Sequence, residues 1–194
     1  RSENLRRALS QEAARLMSEH GIQDFGTAKR KAAERLGVSD EGALPRNTEV
    51  EASLAEYQRL FAAGTHKATL NAQRQAALQA MRALEQFAPR LVGAVLSGTA
   101  TAHADVQLHL FADNPDAVAL SLLDHGVAHG VGANRLRLDT DRVGNFPSVR
   151  FQIEAQMVDG TVFPVDGIRQ APLSPVDGRP MRRADAAELA GLLA

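Results

Sequence analysis

The sequence predicts an α+β protein of the α/β type, with a helical region over residues 1–88 and a mixed-sheet domain over 89–194. Up to about Phe87 the apolar residues recur three and four apart, the spacing of one helix face; beyond it, short runs alternate between apolar and polar. Pro89 marks the change, because a helix cannot continue through it.

The first helix is predicted from Ser2 to His20, with Leu5, Leu9, Ala13, Leu16 and Met17 as its buried stripe and Gly21 as its stop. A second follows Asp24 or Thr27, with Ala28, Ala32 and Leu36 four apart, and ends at Gly37. After a loop containing Gly42 and Pro45, Thr48 and Glu51 have capping-box spacing. Val50, Leu54, Tyr57 and Phe61 mark the buried face of that third helix, and Gly64 closes it. A long fourth helix is expected from Lys67 to Phe87.

Beyond Pro89, Leu91-Val92 reads as a short buried strand, followed by a loop over 93–104. Asp105 to Phe111 alternates as a second strand, and Asn114-Pro115 opens a helix that stops at Gly126. Leu136 and Leu138 indicate a third strand. Val149–Met157 and Thr161–Val165 indicate two more, joined through Asp159-Gly160, a strong hairpin signal. Coil rich in proline over 164–180 leads to a short helix from Ala184 to Leu193.

The 194 residues suffice for one compact domain, or for a small one with a helical extension. A formal charge of −1 exerts no global pull on nucleic acid or anionic membrane, so any such attraction must come from a local patch. With no cysteine, disulfides and thiolate metal sites are excluded. No apolar run approaches the roughly 18 residues that span a bilayer, and the first residues lack the basic-then-apolar layout of a signal peptide. The expectation is a soluble, cytoplasmic protein without membrane association.

The stretch from Gly93 to Leu110 reads GAVLSGTATAHADVQLHL. It resembles, without gaps, the pattern of the nucleotidyltransferase superfamily with the DNA polymerase β-like fold: a glycine at a strand end, an internal Gly-Thr-Ala, then a strand with two alternating aspartates. Gly93 falls on the first glycine, Gly98-Thr99-Ala100 on the internal triplet and Asp105 on the first aspartate, with Val106 and Leu108 at the apolar positions. The resemblance covers roughly 90–165 and implies a mixed-sheet nucleotidyltransferase-like domain. It implies an NTP held over Gly93, Ala94, Gly98 and Thr99, with a divalent cation, Mg²⁺ or Mn²⁺, at Asp105. Transfer of a nucleotidyl group to an acceptor is the implied activity.

The chemistry explains the layout. Glycine lets the backbone approach a triphosphate closely, and loop amides can hold its oxygens. Residues two apart on a strand share a face, so a pair of carboxylates there can hold two cations about 3.5–4 Å apart. This chain departs from the pattern twice. Ala94 stands where the family carries a serine hydroxyl, and Gln107 stands at the second aspartate. A neutral amide oxygen is a poor bridging ligand for Mg²⁺. By alternation Asp105, Gln107 and His109 point one way, a set suited to one metal, or to Mn²⁺ or a transition ion, better than to two Mg²⁺.

The resemblance implies a third carboxylate on a later strand, best matched by Asp159 with Glu154 as competitor, although Asp159 reads slightly better as the first residue of an Asp-Gly turn. His109 is either a ligand or a packed strand histidine. His103 lies in the loop, facing phosphate or solvent. Lys29, Arg30, Lys31 and Arg35 on the second helix form either a solvated face or a nucleic-acid contact. Arg179, Arg182 and Arg183 are phosphate clamps or an exposed tail. Aromatics make up only 4% of the chain, which disfavours base stacking on exposed rings. Gly126 to Gly132 lacks the strand before and the helix after that a dinucleotide loop needs.

Three functional expectations follow. The leading one is a metal-dependent nucleotidyltransferase with Asp105 and Asp159 as its catalytic acids and Asp105, Gln107, His109 and Asp159 as candidate metal ligands. The second is a catalytically inactive module of the same fold that binds a nucleotide, RNA or a protein partner. The third is a helix-mediated assembly protein in which the sheet is scaffold.

Overall fold

The computed structural model describes residues 2–193 and shows the α+β class that the sequence predicts, with seven α-helices and a five-stranded mixed sheet among the described residues. The chain forms two compact units, and neither is continuous. One runs up to Leu70 and adds Thr99–Ala104 and Pro175–Asp177; the other comprises Asn71–Gly98, Asp105–Ser174 and the chain from Gly178 onward. The division falls inside the fourth helix, whereas the sequence places its change of period at residue 88.

The first unit is built on α1 (Ser2–His20), α2 (Phe25–Arg35) and α3 (Asn47–Phe61). Leu9, Ala13, Leu16 and Met17 of the expected stripe are buried and join Ala28, Ala32, Val50 and Leu54 in one core, with Leu5 partly buried against it. Three of these are alanines, and a small side chain lets helix backbones approach closely. Asp24 is the N-cap of α2: its carboxylate accepts from the Thr27 amide and hydroxyl, each at 2.7 Å.

The start of α3 corrects the expected Thr48–Glu51 box. The helix begins at Asn47, and the Glu49 carboxylate accepts the Arg46 amide at 2.6 Å. Arginine has no acceptor to return the bond, so only half of the box is made. Glu51 lies one turn further in and accepts from the Thr99 hydroxyl at 3.2 Å. Gly64 does not close α3 either. It sits in the first turn of α4 (Ala63–Ala83), which ends before a short 3₁₀ turn at Glu85–Phe87.

The second unit holds the sheet. Its strands are β1 (Arg90–Val92), β2 (Val106–Phe111), β3 (His129–Arg137), β4 (Val143–Ile153) and β5 (Gln156–Phe163), in the order β1-β2-β5-β4-β3. Only β2 and β5 run parallel; the other neighbours are antiparallel. A five-residue helix, α5 (Gly93–Ser97), interrupts the expected loop after β1, while α6 (Asp116–Asp124) separates β2 from β3 and α7 (Ala186–Leu193) ends the described chain. No helix among the described residues is long and apolar enough to cross a membrane.

The sheet overturns the hairpin expected at Asp159-Gly160. The turn is Glu154-Ala155, with Glu154 at φ +53, and β5 runs unbroken through Asp159 and Gly160. Packing, not turning, explains the glycine. Its φ lies outside the left-handed region, and a Cβ there would stand 2.9 Å from Leu110 Cδ1 and 3.3 Å from Val149 Cγ2. Leu110 and Val149 are buried, so they have little room to yield. Gly160→Val should therefore cost about 1–3 kcal/mol by overpacking, read by urea unfolding; unchanged stability would show that the neighbours can move aside.

Candidate functional site

The polar face of the sheet is set by register. Gln107 of β2 pairs with Asp159 of β5, and Asp159 pairs in turn with Arg150 of β4. One step before β2, Asp105 reaches the same place from the strand's entrance. The Arg150 guanidinium lies 3.0 Å from Asp105 Oδ2 and 3.8 Å from Asp159 Oδ2, so one cation sits between the two carboxylates. Asn134 of β3 holds Asp159 from the far side: its amide nitrogen donates to Asp159 Oδ1 at 3.0 Å and to Thr161 Oγ1 at 2.8 Å.

Burial separates the members of this group. The side chain of Asp105 is 15% exposed and that of Asp159 18%, against 52% for Arg150. Burial pushes the Asp105 carboxyl above its usual range; the Arg150 charge opposes that shift and the neighbouring Asp159 adds to it. An ion pair with so exposed a partner is worth about 1 kcal/mol or less. The attraction that Arg150 exerts on the acids is correspondingly modest.

Gly93 does not leave the expected open cradle. Its backbone is left-handed, at φ +76, where glycine alone is unstrained, and a Cβ there would collide with the Gln107 amide oxygen. The room that the missing side chain provides is taken by Gln107. Ala94 and Gly98 close α5 on itself, the Gly98 amide donating to the Ala94 carbonyl at 2.9 Å. Arg74 of α4 anchors the same turn by donating to the Val95 and Leu96 carbonyls, each at 3.0 Å. Thr99 and His103 belong to the helical unit. There the Thr99 carbonyl accepts from Gln58 at 2.9 Å, and the exposed His103 packs against Gly21.

His109 shares the face of Gln107 but not its exposure. Only 3% exposed, it meets the Phe163 ring edge-on, and its Nδ1 accepts from Arg183 Nε at 3.0 Å. That bond puts the ring proton on Nε2. Burial, then the Arg183 charge, lowers its pKa from the usual 6.5 to about 3. A neutral imidazole committed to a guanidinium is not placed beside the acid pair as a ligand. Arg183 is likewise no exposed tail: it lies over the Phe111 and Phe163 rings at 4.9 and 5.2 Å and donates to the Gly167 carbonyl at 2.8 Å.

Glu154 lies in the exposed hairpin turn, five residues before Gln107's partner Asp159, and Asp159 is the carboxylate beside Asp105. On α2, Lys29 is half-buried while Arg30, Lys31 and Arg35 are exposed; Arg35 pairs with Glu12 at 3.2 Å. Sequence reasoning missed Arg150 and Asn134. Neither belongs to a motif, and only strand register brings them to the acids.

A divalent cation fits this donor set once and not twice. Mg²⁺ commonly uses one or two carboxylates together with substrate phosphates, and Asp105 and Asp159 supply those two. Among the described residues no group of three or more His, Cys, Asp and Glu is arranged to hold a metal. Comparison of the chain with protein-family models, curated proteins and solved structures finds no match.

The buried histidine has a consequence for stability. Between pH 6.5 and about 3 the unfolded chain takes up a proton at His109 that the folded chain refuses. Stability should therefore fall as pH falls through that window, by at most about 1.4 kcal/mol per pH unit. Urea unfolding at pH 7 and pH 5 should show a smaller loss in His109→Gln than in the wild type; equal losses would place the acid sensitivity elsewhere.

Proposed function

We propose that this protein is a nucleotidyltransferase-like enzyme with a one-cation site, transferring a nucleotidyl group from an NTP to an acceptor. The observation that carries the reading is the convergence of Asp105 and Asp159, from adjacent parallel strands, on one half-exposed guanidinium. The sequence resemblance over Gly93–Leu110 agrees with it, since β1, the Gly93 turn and the Asp105 strand share one sheet, with Val92 opposite Gln107.

Asp105 and Asp159 would hold the cation, Mg²⁺ or Mn²⁺, together with phosphate oxygens. When bound, it would neutralise charge on the triphosphate and on the departing pyrophosphate. Asn134 fixes the orientation of Asp159 by bonding its Oδ1, and burial keeps Asp105 from turning to solvent. In the transfer an acceptor oxygen attacks the α-phosphorus and forms a new P–O bond. The bond from that phosphorus to the β-phosphate oxygen breaks, pyrophosphate leaves, and the acceptor's proton passes to water.

A second reading has its own support. Gln107 in place of a carboxylate, and Arg150 already neutralising the pair, favour a non-catalytic module of this fold that binds a nucleotide, RNA or a protein partner. Incubation with α-labelled NTPs and Mg²⁺, Mn²⁺ or Zn²⁺ separates the two. Label transferred to an acceptor, and lost in Asp105→Asn by about 100-fold or more, is the result expected of the enzyme. Cation-dependent NTP binding without transfer would select the module, and NTP binding unchanged in Asp105→Asn would refute a role for the acid pair in both.

A further inference from the structure

Asp105, Arg150 and Asp159 together carry a charge of −1, an arrangement that disfavours either expected ligand alone. A triphosphate arriving first meets two carboxylates. A cation arriving first meets a guanidinium already seated between them. We propose that Arg150 is an exchangeable counter-ion: when a divalent cation comes to Asp105 and Asp159, the guanidinium leaves the carboxylates and takes the phosphate oxygens of the incoming nucleotide. This deepens the cation-site reading above and rests on it.

The geometry allows the exchange. The Arg150 side chain is 52% exposed, whereas both carboxylates are largely buried, so the arginine is the member free to move. Its partner on the edge strand is Gly130, where even an added Cβ would meet nothing within 4 Å, so no side chain fills the position opposite Arg150 on that strand. Asn134 bonds Asp159 Oδ1 while Arg150 approaches Oδ2, so the bond that positions this carboxylate does not run through the arginine. A planar guanidinium suits phosphate as well as carboxylate, presenting paired N–H donors to either. Each move thus exchanges one set of charge-assisted bonds for another and leaves no group unpaired.

Coupling follows by linkage. If nucleotide draws Arg150 away, it must raise the affinity for the cation, and the cation must raise the affinity for nucleotide by the same factor. Without the guanidinium, the acid pair should take a cation unaided.

The test is Mn²⁺ binding to the full chain, followed by the electron paramagnetic resonance of the free ion, with and without a non-hydrolysable ATP analogue. Wild type, Arg150→Ala and Arg150→Met are compared; the methionine keeps the aliphatic stem should the alanine variant fold poorly. The analogue is expected to raise the wild type's Mn²⁺ affinity by about fivefold or more. Both variants should bind Mn²⁺ alone more tightly than the wild type by about the same factor, with little further gain from the analogue. Variants that bind Mn²⁺ alone no more tightly than the wild type binds it alone, when the wild type does bind it with the analogue, would overturn the exchange while leaving the cation site standing. Absence of Mn²⁺ binding in all three proteins, with or without the analogue, would remove the cation site and the exchange together.

Discussion

Two carboxylates brought to one place by neighbouring strands repel each other unless a cation lies between them, and in this protein Arg150 is that cation. The parallel pairing of β2 with β5 creates the problem by setting Asp159 beside the strand that Asp105 leads into. The antiparallel pairing of β5 with β4 resolves it by placing Arg150 opposite Asp159. Much of the surrounding face serves the same contact. Asn134 ties down one acid from the edge strand, burial confines the other, and Gln107 adds an uncharged amide where a third negative charge would have made the cluster harder to neutralise.

The two sides of the sheet divide the work. Val106, Leu108 and Leu110 of β2 are buried alongside Val158 and Val162 of β5, and Gly160 keeps the strands' side chains from colliding there. On the polar side, burial increases along β2 from Gln107 to His109. A charged end and an aromatic end result. Near the strand's entrance the acids and Arg150 meet; toward its exit His109, Phe111 and Phe163 enclose Arg183. The second arginine is held by rings and carbonyls, with burial and the nearby Arg90 lowering its pKa to about 10. It is fixed where Arg150 is free, and the contrast in exposure is what assigns the two arginines different roles.

Much of the fold was legible because helical period and alternation are local signals. The bounds of α1, a start of α2 after Asp24 or Thr27 and the strand over Leu91-Val92 follow from residues within a turn or two of one another. Local signals also misled. Asp159-Gly160 carries the composition of a tight turn, yet the turn fell to Glu154-Ala155, because Gly160 is required beneath Leu110 and Val149 on other strands. His109 has the right alternation to join Asp105, but alternation says nothing of what covers a side chain, and Arg183 arrives from 74 residues away. The acids of the site were visible in the sequence. Their counter-ion was not, since the partnership of Arg150 with Asp105 and Asp159 exists only once β2, β5 and β4 lie side by side.

The proposed chemistry requires the acid pair to be a place where one cation can be exchanged for another. A crystal soaked with Mn²⁺ and a non-hydrolysable NTP analogue, with anomalous scattering recorded for manganese, reads this directly. The expected map has one manganese peak between Asp105 and Asp159, with the Arg150 guanidinium turned onto phosphate. A map with nucleotide bound elsewhere, no manganese at the pair and Arg150 still bridging both carboxylates would contradict it.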